Sequence, residues 1–248
     1  FKQIKTTETI KDMYMEIMSN ELSKNGGFAL VAEDGEGVLQ LELEFLSITP
    51  YVKPGASDAD GHVIQTLGSG DVVVAMASSG LHSNGYSLAR KVLLDDPGFG
   101  PDDVIPELGC SVGEELLKIH RCYVNEVWPL LANGYIHAMA HITGGGLTDN
   151  LPRVLPKGLQ ATIKVGAWEI PPVFKVLAER GKVPEDDLWR TFNMGVGMVL
   201  IIPPKRLKKV LEHLKDVGCQ GFPMGNIVKG KLGVEYDHPP EGFPSGLR

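Results

Sequence analysis

The sequence predicts an α/β-type chain in which apolar strands and amphipathic helices are connected by glycine-rich loops. Its 248 residues, 43% hydrophobic and 22% charged, suffice for one large or two small globular domains. Its 30 glycines and 17 prolines fall at the ends of the apolar runs, as expected for loops between buried elements. The spacing of apolar residues also changes along the chain from the helical period to the strand period.

Residues 1–68 are predicted to form a separate N-terminal segment. Apolar residues at helical spacing predict a helix over 7–24, and alternating polar and apolar residues predict a β-hairpin between 28 and 48. Residues 49–70 lose this periodicity, so we place a linker there and a domain boundary near Ser69.

Residues 69–236 are predicted to form the main domain, because the order of elements changes there to strand, glycine loop and helix. Residues 237–248 form a proline-rich tail. The predicted strands cover 72–77, 137–142, 198–202 and 224–228, with a strand-like edge from Lys164. The predicted helices cover 86–94, 116–132, 171–181 and 204–217, and another begins near Pro184.

Charge and cysteine content exclude several classes of protein. The formal charge of −7 is spread along the chain, which disfavours binding to nucleic acid. No stretch reaches the roughly 18 consecutive apolar residues of a membrane-spanning helix. Three cysteines without a close pair fit neither a disulfide framework nor a zinc knuckle, so we expect a reducing, cytoplasmic location. An organelle is the alternative, because the chain begins with Phe1 and a targeting segment could have been removed.

The first candidate site is the loop of residues 78–85, between a predicted strand and a predicted helix. Glycines let the backbone approach a ligand, while hydroxyls and amides donate to anionic oxygens, which suits a phosphate group. The loop matches neither common nucleotide-binding glycine motif, and an ordinary loop with a capping serine stays open as the alternative. The candidate residues are Ser79, Gly80, His82, Ser83, Asn84 and Gly85.

The second candidate site repeats this design after the strand that ends near His141. Three consecutive glycines cost backbone entropy, so they indicate either positive φ angles or a ligand that leaves no space for a Cβ. A tight turn without a ligand stays open, and the hydroxyl of Thr143 suits either a helix cap or a phosphate donor. The candidate residues are His141, Thr143, Gly144, Gly145 and Gly146.

The third candidate is residues 191–198, where alternating glycines lead into an apolar strand. Asn193 is the side chain here with an obvious recognition role, although packing against a helix explains the glycines equally well. We predict no metal site, because the remaining histidines have no partners at metal-ligand spacing. These histidines are His62, His120, His137, His213 and His238.

Together these stretches resemble the aminoimidazole ribonucleotide synthetases, also called phosphoribosylformylglycinamidine cyclo-ligases. The resemblance rests on residues 70–92, 140–156, 168–198 and 225–228, and covers about 70–236. It implies an α+β domain with a mixed sheet flanked by helices. It also implies ATP-dependent closure of formylglycinamidine ribonucleotide to aminoimidazole ribonucleotide in purine biosynthesis, through phosphoryl transfer to the formyl oxygen.

The same resemblance implies roles for the candidate residues. His82 and His141 become candidate catalytic residues, with Ser83 and Asn84 facing the substrate. Residues 141–146 are expected to face phosphate. ATP and Mg²⁺ are the implied cofactors, and a phosphorylated small molecule is the implied partner.

The sequence departs from the family in two places. Residues 1–68 lack the motifs of the family's first domain, which supplies most magnesium ligands and the dimer interface. Asp71 and Asp149 are too few to replace those ligands. Ile119 and His120 stand where the family usually has Pro and Thr.

These departures leave two functional hypotheses. We expect a cyclo-ligase chain that is incomplete alone and acts as a homodimer or with a separate chain carrying the first domain. The alternative is a non-catalytic module that binds a phosphorylated ligand or aids assembly without turning over ATP.

Overall fold

The structure, a computed structural model, describes residues 67–95 and 99–237. The predicted N-terminal helix and hairpin, most of the predicted linker, and the tail after Asp237 lie outside the described residues.

A six-stranded mixed sheet forms the centre of the described region. The eight strands are β1 (Val72–Ala77), β2 (Val104–Ile105), β3 (Cys110–Ser111), β4 (Ala138–His141), β5 (Leu159–Lys164), β6 (Val196–Ile202), β7 (Gly221–Lys229) and β8 (Val234–Asp237). The order in the large sheet is β4-β6-β1-β7-β5-β8, and β2 pairs with β3 in a separate ribbon. Neighbours in the large sheet are antiparallel except β5 and β8, so the sheet is mixed.

Seven α-helices accompany these strands in the described residues. They are α1 (Tyr86–Arg90), α2 (Val112–Leu116), α3 (Val124–Ala132), α4 (Gly146–Asn150), α5 (Pro172–Gly181), α6 (Glu185–Thr191) and α7 (Leu207–Asp216). A π-helical turn extends α1, and 3₁₀ turns follow α4 and precede α7. Within the described ranges, no helix has the length and apolar character needed to cross a membrane.

Each face of the large sheet has its own hydrophobic core, because side chains alternate along the central strand β1. Val73 and Ala75 belong to one core, together with buried residues of α1, α4, α5 and α6. Val72, Val74 and Met76 belong to the other core, which α3 and α7 complete. The predicted mixed sheet with flanking helices is therefore confirmed.

The predicted helix over 116–132 is wrong, since residues 117–123 separate α2 from α3. This connecting segment is tied to the loop after β1. The Ile119 carbonyl accepts a hydrogen bond from Ser79 Oγ at 2.7 Å, and the Tyr123 hydroxyl donates to the Ala77 carbonyl at 2.7 Å. The first contact gives the Ile119 carbonyl a partner outside a helix, and the second anchors the end of the segment to β1.

Several strands escaped the sequence prediction. β5 begins at Leu159, five residues before the predicted edge, and β8 lies at the border of the sheet in the region predicted to follow the last strand. β8 pairs in parallel with β5, a contact between distant parts of the chain that local spacing does not reveal. β2 and β3 have two residues each, too few to give a periodic pattern.

Candidate functional site

The three candidate stretches meet at one edge of the sheet. β6 lies between β4 and β1 and is antiparallel to both, so the ends of β4 and β1 lie at the edge where β6 begins. Ala77 pairs with Val196 and His141 pairs with Met198. The loop after β1, the turn after β4 and the segment before β6 therefore form a single candidate site.

Asn193 holds the loop of residues 78–85 against the start of β6. Its amide nitrogen donates to the Gly80 carbonyl at 2.8 Å, and its amide oxygen accepts from Ser78 Oγ and from the Gly195 amide at 3.0 and 2.8 Å. The side chain is 3% exposed, and three hydrogen bonds occupy it. The structure thus places Asn193 as a brace within the protein, whereas the sequence favoured a recognition role.

His82 adopts an unusual backbone conformation at the centre of the same loop. Its φ is +57°, in the left-handed region that residues other than glycine rarely occupy. Nε2 of His82 accepts a hydrogen bond from the Ser79 amide at 3.0 Å, so the neutral ring carries its proton on Nδ1. The ring lies over Gly197 of β6, where a Cβ would come within 2.5 Å of it. Strain in the loop and a glycine in the strand thus combine to position this histidine.

Three histidines come together beside this loop. The rings of His82 and His120 are stacked, with centroids 4.0 Å apart and an angle of 18° between their planes. Nε2 of His120 lies 3.2 Å from Nε2 of His141, and its Nδ1 lies 3.0 Å from Ser83 Oγ. The sequence predicted that His82 and His141 belong to the site, and the structure adds His120 between them.

Burial keeps these three histidines neutral at pH 7. Loss of hydration, followed by the neighbouring His120, His141 and Arg121, lowers the pKa of His82 to about 3. Burial lowers the pKa of His141 to about 4, with a smaller contribution from the nearby His120. The pKa of His120 is lowered by burial as well. The cluster therefore offers neutral imidazoles, which can donate or accept one hydrogen bond at each nitrogen.

The turn after β4 is largely closed by its own backbone. The amide of Gly145 donates to the Arg190 carbonyl at 2.7 Å, and the amide of Gly146 donates to the Thr143 carbonyl at 3.0 Å. Thr143 Oγ1 donates to Asn150 Oδ1 at 3.2 Å, so this hydroxyl does not cap α4. Two of the three glycine amides predicted to face phosphate are thus already bonded within the protein.

Gly144 and Asn84 bring the two glycine loops into contact. Asn84 Oδ1 lies 3.4 Å from the position that a Cβ on Gly144 would occupy, and Gly144 is exposed. Ser83 is exposed and Asn84 is half-buried beside it. Gly85 has a different role, because its Cβ would overlap the Phe192 ring at 2.2 Å. The accessible part of the site therefore consists of Ser83, Asn84 and Gly144 beside the histidine cluster.

Comparison with known families identifies the domain that contains this site. Residues 68–237 match the family described as AIR synthase related protein, C-terminal domain. The chain belongs to this family. The matched residues include all three segments of the candidate site. The candidate site therefore lies within the C-terminal domain of this family.

Curated relatives named phosphoribosylformylglycinamidine cyclo-ligase extend the comparison. That of Desulfotalea psychrophila is 47% identical over 161 residues, covering 65% of this chain and 45% of the relative. That of Syntrophotalea carbinolica is 43% identical over 195 residues, covering 79% and 54%. A solved thiamine-monophosphate kinase from Stenotrophomonas maltophilia aligns with a TM-score of 0.49 and 14% identity, covering 71% of this chain and 52% of that one. The chain thus spans about half the length of the curated relatives it matches.

The described residues of this AIR synthase domain do not fit Mg²⁺. Magnesium prefers carboxylate and other oxygen ligands, and the acidic residues flanking the glycine loops are engaged elsewhere. Asp71 Oδ2 is bonded to His137 Nδ1 at 2.7 Å, and Asp149 Oδ1 is paired with Arg190 at 2.8 Å. Asp71 and Asp149 therefore do not provide a site for Mg²⁺ or for Mg²⁺-bound ATP.

Two residues of the AIR synthase site were missed by sequence reasoning. His120 has no partner at metal-ligand spacing in the sequence, and the helix predicted over 116–132 includes Tyr123, so neither residue is a candidate from the sequence. The sequence contained one signal for His120. Ile119 and His120 stand where the family usually has Pro and Thr, which indicated a local change in structure there. What brings His120 to the site is the break between α2 and α3, which helical spacing concealed.

Proposed function

We propose that this chain supplies the C-terminal half of a phosphoribosylformylglycinamidine cyclo-ligase, which closes the imidazole ring of aminoimidazole ribonucleotide in purine biosynthesis. The observation that carries the proposal is the meeting of three family segments at one sheet edge, around His82 and His141. The names of relatives at 43–47% identity support the same reaction.

In this proposal, His82 and His141 contact the reacting part of the substrate, while Ser83, Asn84 and Gly144 line its phosphorylated part. A bound anion favours the protonated form of a nearby imidazole and raises its pKa. Substrate binding is therefore coupled to proton uptake by the cluster. A histidine whose pKa has risen towards the reaction pH can then exchange a proton with the attacking amidine nitrogen or the formyl oxygen.

The phosphoryl group that activates the formyl oxygen comes from ATP in the proposed reaction. We assign ATP and Mg²⁺ binding to a cyclo-ligase first domain supplied by a separate chain. A homodimer is the alternative assembly, and sedimentation velocity of the chain alone and with the first domain distinguishes the two. We also propose a cytoplasmic location, in keeping with a purine biosynthetic enzyme.

The test is formylglycinamidine ribonucleotide-dependent release of ADP, measured for the full chain alone and with a separately supplied cyclo-ligase first domain. We expect turnover only in the mixture. Replacing His141 by Asn removes an imidazole that contacts the substrate and is expected to lower turnover by about 100-fold or more. His213→Gln is the matched control, because this histidine bonds the Glu126 carbonyl on α3 away from the site.

Each other outcome contradicts a defined part of the proposal. Turnover by the chain alone contradicts the assignment of ATP and Mg²⁺ binding to a separate first domain. Substrate binding without turnover in the mixture identifies the chain as a non-catalytic binding module. Equal turnover of the His141→Asn variant and the unaltered chain removes His141 from the reaction.

A further inference from the structure

The histidine cluster brings together ring nitrogens from three separate parts of the chain. His82 lies in the loop after β1, His120 in the segment between α2 and α3, and His141 at the end of β4. One ligand nitrogen from each ring lies within 4.8 Å of the others. Imidazole nitrogens gathered in this way are the ligands that Zn²⁺, Co²⁺, Ni²⁺ and Cu²⁺ prefer, whereas Mg²⁺ and Ca²⁺ prefer oxygen.

The spacing of His120 and His141 already suits one metal ion. Their Nε2 atoms are 3.2 Å apart. Two nitrogens bound to a tetrahedral Zn²⁺, each at about 2.0–2.1 Å, are separated by about 3.3 Å. The two rings therefore need little movement to share a cation in place of their present contact.

Ser83 orients the His120 ring for this purpose. Its hydroxyl lies 3.0 Å from Nδ1 of His120, so Nδ1–H can donate to it while Nε2 presents its lone pair. Metal-binding histidines usually donate their second ring N–H to such a partner, which fixes the tautomer and the ring orientation.

His82 has the tautomer that a third ligand needs, because its proton is on Nδ1 and the lone pair on Nε2. That lone pair now accepts from the Ser79 amide at 3.0 Å. Since His82 is stacked almost parallel to His120, its ring must turn away from Ser79 to point Nε2 at the same ion. Nδ1 of His82 is buried without a hydrogen-bond partner among the described residues, so no hydrogen bond to that nitrogen opposes the rotation.

The charges near the cluster permit a divalent cation. Arg121 is the neighbouring cation that acts on His82, and its guanidinium is paired with Glu126 at 3.1 Å. The carboxylate of Glu115, close to Gly80, is paired with Lys118 at 2.6 Å. Both basic residues therefore have acidic partners, which reduces their repulsion of an ion at the cluster.

We propose that His82, His120 and His141 form a binding site for one divalent transition-metal ion of the zinc type. His120 and His141 supply the first two nitrogens, and His82 completes the set after its ring turns. Three protein ligands leave a coordination position open to water or to a substrate oxygen. The inference is independent of the proposed cyclo-ligase reaction, because it concerns metal binding in the absence of ATP and substrate.

The experiment is titration of the metal-free full chain with Zn²⁺ by calorimetry and with Co²⁺ by visible absorption. We expect one equivalent to bind and the Co²⁺ bands to have tetrahedral intensity. His120→Gln is expected to weaken binding at least about tenfold, since even loss of a residue supporting a ligand costs that much. His82→Asn, which tolerates the positive φ, is expected to weaken binding less because His82 joins last.

Two control variants address binding elsewhere. His213→Gln removes a histidine that is not a member of the three-histidine group, and Cys122→Ser removes the exposed thiol. Both are expected to bind like the unaltered chain. Thermal unfolding with and without Zn²⁺ checks that each variant folds, and the increase in Tm with Zn²⁺ should be lost only in variants of the cluster.

Three results would overturn the proposal. One is absence of stoichiometric binding by the unaltered chain, and another is equal affinity of the folded His120→Gln variant. The third is loss of binding in His213→Gln or Cys122→Ser. None of these results bears on ring closure, and failure of the ADP assay leaves the metal titration unaffected.

Discussion

The loop after β1 and the turn after β4 have the same strand, glycine and helix order, yet they use their glycines differently. In the turn after β4, a Cβ on Gly146 would lie 1.9 Å from the Trp189 carbonyl oxygen, so that glycine is needed for packing against α6. In the loop after β1, only Gly85 at the end of the loop is needed for packing, while Gly80 has ordinary clearance with its closest neighbour at 3.4 Å, and polar side chains project from the loop. One glycine cluster thus shapes the protein interior, whereas the other loop presents the chemistry.

The largest expected effect comes from Gly146→Ala. The added methyl group meets backbone atoms that cannot move away, and φ is +58°, so we expect a loss of about 3 kcal/mol or more in the free energy of unfolding. Urea unfolding followed by circular dichroism measures it. Gly144→Ala is the matched control, because its Cβ meets only Asn84 Oδ1 at 3.4 Å, and a change within about 0.5 kcal/mol is expected. Equal losses would show that the turn does not pack as described.

Asn193→Ala tests the brace between the loop after β1 and the start of β6. It leaves the Gly195 amide without its buried acceptor and the Gly80 carbonyl with only the bond from Ser78 Oγ, so we expect a loss of about 2 kcal/mol. Chemical denaturation measures the loss. Hydrogen exchange should increase in residues 78–85 while the centre of β7 keeps its protection. A loss below about 0.5 kcal/mol would contradict the bracing role.

Acid should affect the histidine-bearing loop through His82. Its pKa of about 3 when folded lies below the ordinary 6.5, so between these values the unfolded chain binds a proton that the folded chain does not. Stability therefore falls as pH decreases below 6.5, by at most ~1.4 kcal/mol per pH unit from this residue, and this contribution is constant above pH 7. Unfolding in EDTA at several pH values measures the slope, and His82→Asn should make it shallower. An unchanged slope would contradict the assignment to His82.

The smallest expected effect comes from Ser79→Ala, which removes the bond from Ser79 Oγ to the Ile119 carbonyl. This bond is near the surface, so we expect a loss of about 0.5 kcal/mol. A more informative measurement is the NMR chemical shifts of the His120 ring. These shifts should change if the Ser79 bond helps to position residues 117–123. Unchanged shifts would mean that the bond from Ser79 does not help to position the segment.

Much of the sheet was predictable because buried strands have a strong local pattern. β1 matches its predicted bounds, and β6 and β7 extend their predicted strands by a few residues at one or both ends. β8 was not predictable from spacing, since it is four residues long and depends on pairing with β5. The helix predicted over 116–132 failed because residues 116, 120, 123, 127 and 130 keep a helical repeat across a stretch that is not helical.

That the loops of His82 and His141 lie together was predictable from the sequence, but the position of His120 and the detailed contacts were not. His82 and His141 were found from glycine-rich loops that follow strands, a feature present in the sequence itself. The bonding of Asn193, and of the amides of Gly145 and Gly146, depends on partners tens of residues away or on the path of the turn. His120 became visible only when the chain path between α2 and α3 was known.

The position of β6 between β4 and β1 has a consequence for folding. No contiguous fragment that stops before residue 196 contains the strand that aligns His82 with His141. The environment of these two rings therefore reports on whether the middle of the sheet has assembled. A truncated or partly synthesised chain that ends before β6 therefore lacks the strand that pairs with both β1 and β4.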